Sequence, residues 1–527
     1  MPRLVRLLAA FMLAASVAAG SGAGPLAAQP SVRAHARVVT PAKKHKPRKR
    51  AKHAPRAVAA TPKWMSPRDA TALATDLGGM LTAKVRGGSW GVVVVSLSRG
   101  DTLYSLNADT ELQPASNMKL YTSALALDQF GAQYQFSTDI LRDGSVSADG
   151  TLNGNIILRG DGDPGLSRRF IDGGPGAAMD ALAQLVADAA IKRVRGSLVA
   201  DASGFDARTI PDGWQKRYLG LSYAARVSAL SMNENLLWIV VHPGATSKQS
   251  ATVTLEPAAD LPIINNVRTL AASRGARITA HTTAGGTVEV GGWIGAKSAD
   301  QRYSVVVEDP AALCAATFRK ALQARGITVD LGTRFAATPP TAVKIASLPS
   351  PPLARLLSVM NRESVNHFAE LLFRDAGRTT AKTQVGSAET GNNLLQQFMT
   401  TKVGAAPGAV FAADGSGLSV LDRVTPRSLV QLLSYAHRAP WGDAFHASLP
   451  VAGESELLRR RMKFTPAQGN LHAKTGTTNS VISLGGYVTA QDGELLAFAF
   501  IYNGHDRWNA KSAIDQMGAT LASFARE

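Results

Sequence analysis

Cysteine is nearly absent from this 527-residue chain: Cys314 is the only one. A single thiol excludes an intramolecular disulfide framework and any multi-cysteine zinc or iron–sulfur site. Acidic residues are missing from the first 63 positions, which hold thirteen Lys/Arg. Thirteen of the net +18 charges therefore lie there, leaving only +5 for residues 64–527. The basic character is a property of the N-terminal tail, which argues against nucleic-acid binding by the folded part. Beyond the N-terminus no stretch approaches the ~18–20 uncharged apolar residues of a membrane span, so a polytopic membrane protein is excluded. No short fixed-period repeat is present either.

What is present begins with an export-type leader. Arg3 and Arg6 precede an apolar run from Leu7 to Ala19, and small residues follow to Gly24. The run is too short to span a bilayer, so residues 1–28 read as a secretory signal peptide, ahead of an uncleaved anchor or a mitochondrial transit peptide. Residues 29–63 carry eleven Lys/Arg among Ala and Pro. Like charges repel and proline breaks helices, so this segment reads as a disordered basic tether. It is either a solvated spacer or an electrostatic attachment to an anionic envelope surface. The preceding leader makes nucleic acid an unsuitable partner.

Helical periodicity covers 66–83, and β-rich runs at 90–97 and 103–106 flank Arg99-Gly100-Asp101 as a hairpin. A helix pattern follows at 116–130. From about 138 to 347 short strands separated by Gly/Asp/Pro turns dominate, with one helical pattern at 177–190. A Pro/Ser-rich stretch at 338–352 marks a boundary. Helices return at 353–360, 365–376 and 426–437, then strands at 481–488 and 494–502 and a helix at 510–525. The pattern reads as helices and strands of one α/β domain flanking a mostly β insert at about 138–347.

Three short motifs carry chemistry. Ser116-Asn117-Met118-Lys119 is the only S-x-x-K in the chain. At i and i+3 on a helix the two side chains share a face, so a neutral Lys119 amine can take the Ser116 proton. Ser364-Val365-Asn366 places a hydroxyl and an amide two residues apart; S-x-N also occurs at Ser105 and Ser231, but Ser364 is preferred because it opens an apolar-periodic helix. Lys474-Thr475-Gly476-Thr477, also unique, precedes a strand and supplies a cation and hydroxyls for a carboxylate, while its glycine permits close approach of a ligand. Each motif alone reads equally as a helix cap or a solvated edge. Together, in the order S-x-x-K, S-x-N, K-T-G, they form the set shared by penicillin-binding proteins and β-lactamases.

With these motifs in place the sequence resembles the penicillin-binding protein 4 type of D-alanyl-D-alanine carboxypeptidase/endopeptidase, peptidase family S13. The resemblance runs from about Ser66 to the C-terminus. It includes Gly160-Asp161-Gly162-Asp163-Pro164, Ser228-Ala229-Leu230-Ser231-Met232-Asn233-Glu234-Asn235 and Asp414-Gly415-Ser416-Gly417-Leu418-Ser419. The 245 positions from Lys119 to Ser364 match the long insert of that family, and β-lactamases have a much shorter gap. The resemblance implies an α/β transpeptidase-like fold, with an antiparallel sheet between helices in a domain made of 64–137 and 348–527 and a β-rich insert of one or two domains at 138–347. It implies hydrolysis of peptidoglycan stem peptides, with β-lactam antibiotics as inhibitors and no metal or cofactor. It implies Ser116 as acylated nucleophile, Lys119 as general base and Ser364 as proton shuttle. Asn366 would bind the substrate amide, and Lys474, Thr475 and Thr477 its terminal carboxylate. Backbone N–H groups of Ser116 and Thr477 would form an oxyanion hole, worth roughly 3–4 kcal/mol per donor in other enzymes. The chain departs from the family at Val365, where Asp is frequent, at Thr478, where Leu is usual, and at Glu454-Ser455-Glu456-Leu457, where a Gly-Thr-Leu run is common. A non-turnover penicillin sensor and a serine β-lactamase or esterase are the other readings of the same motif set.

Overall fold

The computed structural model describes residues 67–83, 85–271 and 274–526. The expected signal peptide at 1–28 and basic tether at 29–63 lie outside the described residues. Among the described residues no helix is long and apolar enough to cross a membrane.

A five-stranded antiparallel sheet organises the chain ends. Its order is Thr102–Leu106, Ser89–Ser96, Leu495–Asn503, Val481–Thr489, His472–Thr477. The Leu495–Asn503 strand shows how alternation builds two faces. Leu496, Phe498, Phe500 and Tyr502 pack with the helices Ala70–Ala83 and Arg507–Ser523, whereas Ala497, Ala499 and Ile501 point to the opposite core. Small side chains on that second face let the helix Pro426–Arg438 lie close against the sheet. Met118–Phe130, Leu353–Glu363 and Asn366–Arg378 complete this layer. The result is an antiparallel sheet between helices, as the family resemblance implies.

Between these segments the chain leaves on the strand Ser137–Arg142 and returns on Val343–Pro349, and the two pair antiparallel. They form one side of a mixed five-stranded sheet completed by Ile156–Arg159, Leu198–Asp201 and Thr333–Phe335. Two three-stranded sheets follow, one around Leu236–His242 and one around Val288–Gly295. The region is less purely β than its sequence texture suggests. The helix Ala177–Asp188 was expected, but a second, Pro310–Ala324, packs beside it on the same core. Its signal is the Asp309 cap, which accepts the Ala312 N–H at 3.0 Å, with Pro310 at the first helical position.

Candidate active site

Ser116 does not sit on a regular α-helix. It lies in a 3-10 turn, Ala115–Asn117, that feeds directly into the helix Met118–Phe130 carrying Lys119. Ala115 holds a left-handed φ of 47°, a costly conformation for a residue with a Cβ. The strained turn still brings Ser116 Oγ within 3.0 Å of Lys119 Nζ.

Lys119 is fully buried. Its amine also donates to Asn366 Oδ1 at 2.6 Å and to the Ser416 carbonyl at 2.7 Å. Burial pulls its pKa down to about 8, against the opposing pull of Asp414, Glu370 and Asp422. A lysine of this kind is neutral in roughly a tenth of molecules at pH 7 and in half at pH 8. Geometry and charge state thus both allow proton transfer from Ser116.

Ser364 differs from expectation. It does not open a helix but ends one: Leu353–Glu363 stops at Ser364, which takes a left-handed φ of 57° before Asn366–Arg378 begins. The break between the two helices turns the Ser364 hydroxyl toward Lys474, whose Nζ donates to it at 2.9 Å. Lys474 is fully buried; it lies on a strand of its own, the sheet edge strand His472–Thr477, ahead of the expected strand Val481–Thr489, and its second bond goes to the Thr475 carbonyl at 3.0 Å. Burial, reinforced by the like charge of Lys119, holds its pKa well below the usual lysine range.

Asn366 is orientated from both sides. A lysine amine facing it fixes Oδ1 as the acceptor, and Nδ2 donates to the Tyr223 carbonyl at 2.8 Å. One amide N–H is therefore already committed to the inserted region. The other two S-x-N sequences are consumed elsewhere: Asn107 donates to the Trp90 carbonyl and Asn233 to the Pro175 carbonyl.

The structure brings Ser116, Ser364, Asn366 and Thr477 to the wall of one cavity of about 310 Å³, with Tyr218 and Tyr223 from the inserted region opposite. Lys119 and Lys474 stand behind this wall. Thr475 is buried, and a Cβ on Gly476 would lie 2.1 Å from Ser483 Oγ, so this strand position admits only glycine. A larger polar cleft of about 690 Å³ lies apart, beside Arg159 and Arg378, and contains none of these residues.

Several contributors escape sequence reasoning. Asp414 gathers the backbone N–H groups of Ser416, Gly417 and Ser419 at 3.0, 2.6 and 2.7 Å, winding Asp414–Ser419 into a tight loop. That loop aims the Ser416 carbonyl at Lys119. It also packs under the nucleophile turn, where a Cβ on Gly417 would meet the Ala115 carbonyl oxygen at 1.8 Å. Beside it Glu370 and Asp422 are buried, and burial raises both carboxyls, Glu370 to about 8. Arg507 reaches the same cavity and anchors to the Thr478 carbonyl at 2.8 Å, adding a cation near the KTG strand. The DGSGLS run is visible in the sequence, but its role is not, because the carboxylate acts through backbone bonds.

Three comparisons bear on this geometry. The sequence matches the D-Ala-D-Ala carboxypeptidase 3 (S13) family over residues 74–524. A D-alanyl-D-alanine carboxypeptidase of Actinomadura sp. (strain R39) is 33% identical over 451 residues, 82% of this chain and 81% of that protein. The D-alanyl-D-alanine carboxypeptidase DacB of Haemophilus influenzae is 25% identical over 453 residues, 85% of this chain and 91% of that protein. In fold, the crystal structure of penicillin-binding protein 4 from Haemophilus influenzae superposes with a TM-score of 0.71 at 23% identity, covering 85% of this chain and 98% of that one. The chain belongs to the D-Ala-D-Ala carboxypeptidase 3 (S13) family of serine peptidases.

Proposed function

We propose that Ser116 is acylated by D-Ala-D-Ala-terminated peptidoglycan stem peptides, with Lys119 as its base. The observation that carries this reading is the 3.0 Å contact between Ser116 Oγ and a buried lysine whose pKa is lowered to about 8. In the forward step Ser116 Oγ attacks the penultimate D-Ala carbonyl and its proton passes to the neutral amine of Lys119. The backbone N–H groups of Ser116 and Thr477 receive the oxyanion. As the C–N bond breaks, the leaving D-Ala amine takes a proton from the Ser364 hydroxyl, which Lys474 replenishes. Water then attacks the acyl ester by the reverse proton path and frees Ser116.

Lys474, Thr475, Gly476 and Thr477 form the carboxylate end of the site in this scheme, joined by Arg507. Asn366 aligns the peptide bond with its remaining amide hydrogen and holds Lys119 in place. Residues 64–137 and 348–527 act as the catalytic domain. The insert, 138–347, closes the cavity through Tyr218 and Tyr223. We read residues 1–28 as an export signal to the periplasm or cell envelope, and residues 29–63 as a basic tether with affinity for anionic envelope surfaces. Action on crosslinked peptides, as an endopeptidase, belongs to the same proposal.

The test is the purified protein with a D-Ala-D-Ala pentapeptide and a crosslinked muropeptide, products read by mass spectrometry. Release of one D-Ala from the first supports the carboxypeptidase reading, and cleavage of the second the endopeptidase one. Penicillin binding without D-Ala release would indicate the sensor, and rapid penicillin turnover the β-lactamase.

A further inference from the structure

The segment from the 3-10 turn Glu456–Leu458 up to the strand His472–Thr477 has no part in the chemistry above. It exposes two large apolar side chains, Leu457 at 47% and Phe464 at 78%. Between them lie Arg459, Arg460 and Lys463, all exposed. None of these three side chains makes an ion pair or hydrogen bond among the described residues. The neighbouring acids are largely committed elsewhere: Glu456 pairs with Arg362 at 3.1 Å and Asp515 with Arg461 at 2.6 Å. Glu454 is the one exposed acid left in the segment.

This exposure is built rather than slack. Leu458, Met462 and Ala467 are buried in the core beside the helix Arg507–Ser523. The Phe464 N–H donates to Gln468 Oε1 at 2.8 Å, and Thr465 Oγ1 donates to the Met462 carbonyl at 2.7 Å. Met462 and Phe464 both hold left-handed backbone, with φ of 53° and 60°. An aromatic residue in that region is sterically disfavoured, yet here the strain turns its ring outward. A rigid loop thus presents protruding apolar tips amid unpaired cations. Protruding tips need a compliant partner that admits them, and unpaired cations need anions around the point of entry. A bilayer with anionic headgroups supplies both, whereas a hydrated polyanion offers nothing to the apolar tips.

We propose that residues 457–464 form a docking loop for an anionic phospholipid surface, with Phe464 and Leu457 entering the headgroup region and Arg459, Arg460 and Lys463 binding lipid phosphates. The pairing of Glu456 with Arg362, two positions before Ser364, ties this loop to the segment that carries the active site.

The experiment uses the full exported chain with Phe464→Cys labelled by an environment-sensitive fluorophore. Cys314 is buried and its thiol is pushed up by burial, so labelling is confined to the loop. Vesicles of phosphatidylcholine with about a third phosphatidylglycerol should shift the emission to the blue and reduce iodide quenching several-fold. Pure phosphatidylcholine and soluble polyglutamate should not. In parallel, at about 0.5 M salt, which screens attraction through the basic residues 29–63 more than apolar insertion, the Leu457→Ser/Phe464→Ser variant should partition onto the anionic vesicles at least fivefold less, with hydrolysis of a soluble peptide unchanged. Vesicle binding with no spectral change at 464 would assign attachment to another part of the chain and overturn the proposal. An equal response to polyglutamate would replace the bilayer with a polyanionic partner, and unchanged partitioning of the double variant would also overturn it.

Discussion

The indole N–H of Trp214 donates to Asp414 Oδ2 at 2.7 Å. These residues lie 200 positions apart, one in the inserted region and one in the loop that supports Lys119. Asp414 already accepts three backbone N–H groups, so Trp214 completes the satisfaction of a buried carboxylate. The insert is thereby bound to the geometry of the base. Trp214→Phe keeps an aromatic ring, though a smaller one, and leaves one Asp414 lone pair unmet. Unfolding in denaturant should show a loss of about 1–3 kcal/mol. Penicillin acylation should slow in parallel if the Ser416 carbonyl swings from Lys119.

The protonation state of Lys119 gives acylation a pH dependence. Burial lowers the pKa to about 8, and only the neutral amine can accept the Ser116 proton. Second-order acylation by penicillin should therefore rise about tenfold per pH unit below 8 and level off above it. Asp414 is the largest of the groups opposing that depression. Asp414→Asn removes its charge, so the midpoint should move to lower pH. A profile unchanged by this substitution would mean that another group sets it.

The two buried lysines should fail differently. Lys119→Ala removes the base and should lower acylation by a factor on the order of 10² or more for every substrate. Lys474→Ala and Arg507→Ala should weigh most on peptides with a free terminal carboxylate, seen as a rise in KM relative to an ester lacking it. An equal effect on the ester would remove the carboxylate role.

Gly417 and Gly404 separate steric fit from backbone strain. Both have positive φ, 81° and 76°, but a Cβ at 417 meets the Ala115 backbone whereas the space at 404 is open. Gly404→Ala should cost about 1 kcal/mol of stability with activity intact. Gly417→Ala has to displace the nucleophile turn, and acylation should fall by a hundredfold or more.

The proximity of Ser116 and Lys119 was legible because i and i+3 are local neighbours, and the hairpin after Lys474 because its two apolar runs are separated by turn residues; that Lys474 itself lies on the edge strand was not legible. The break between the helices at 353–360 and 365–376 was legible, but the left-handed Ser364 was not: a serine ahead of an apolar-periodic run reads as a helix start and gives no sign that it ends the preceding helix with positive φ. The resemblance of the motif set nevertheless carried the right expectation of a sheet between helices. Asp414, Tyr223 and Arg507 join the site only through packing between segments far apart in the chain, as with the 143 positions separating Asn366 from Tyr223. The helix Ala388–Phe398 went unread although Ser387 and Thr390 cap it reciprocally, because its apolar positions are few.

The central claim is that Ser116 is the acylated group. The most direct measurement is mass spectrometry of peptides after brief exposure to penicillin. The account predicts one added penicillin mass on the peptide containing Ser116, lost in Ser116→Ala. Addition to a peptide bearing Ser364 or any other serine, or labelling that survives Ser116→Ala, would contradict it.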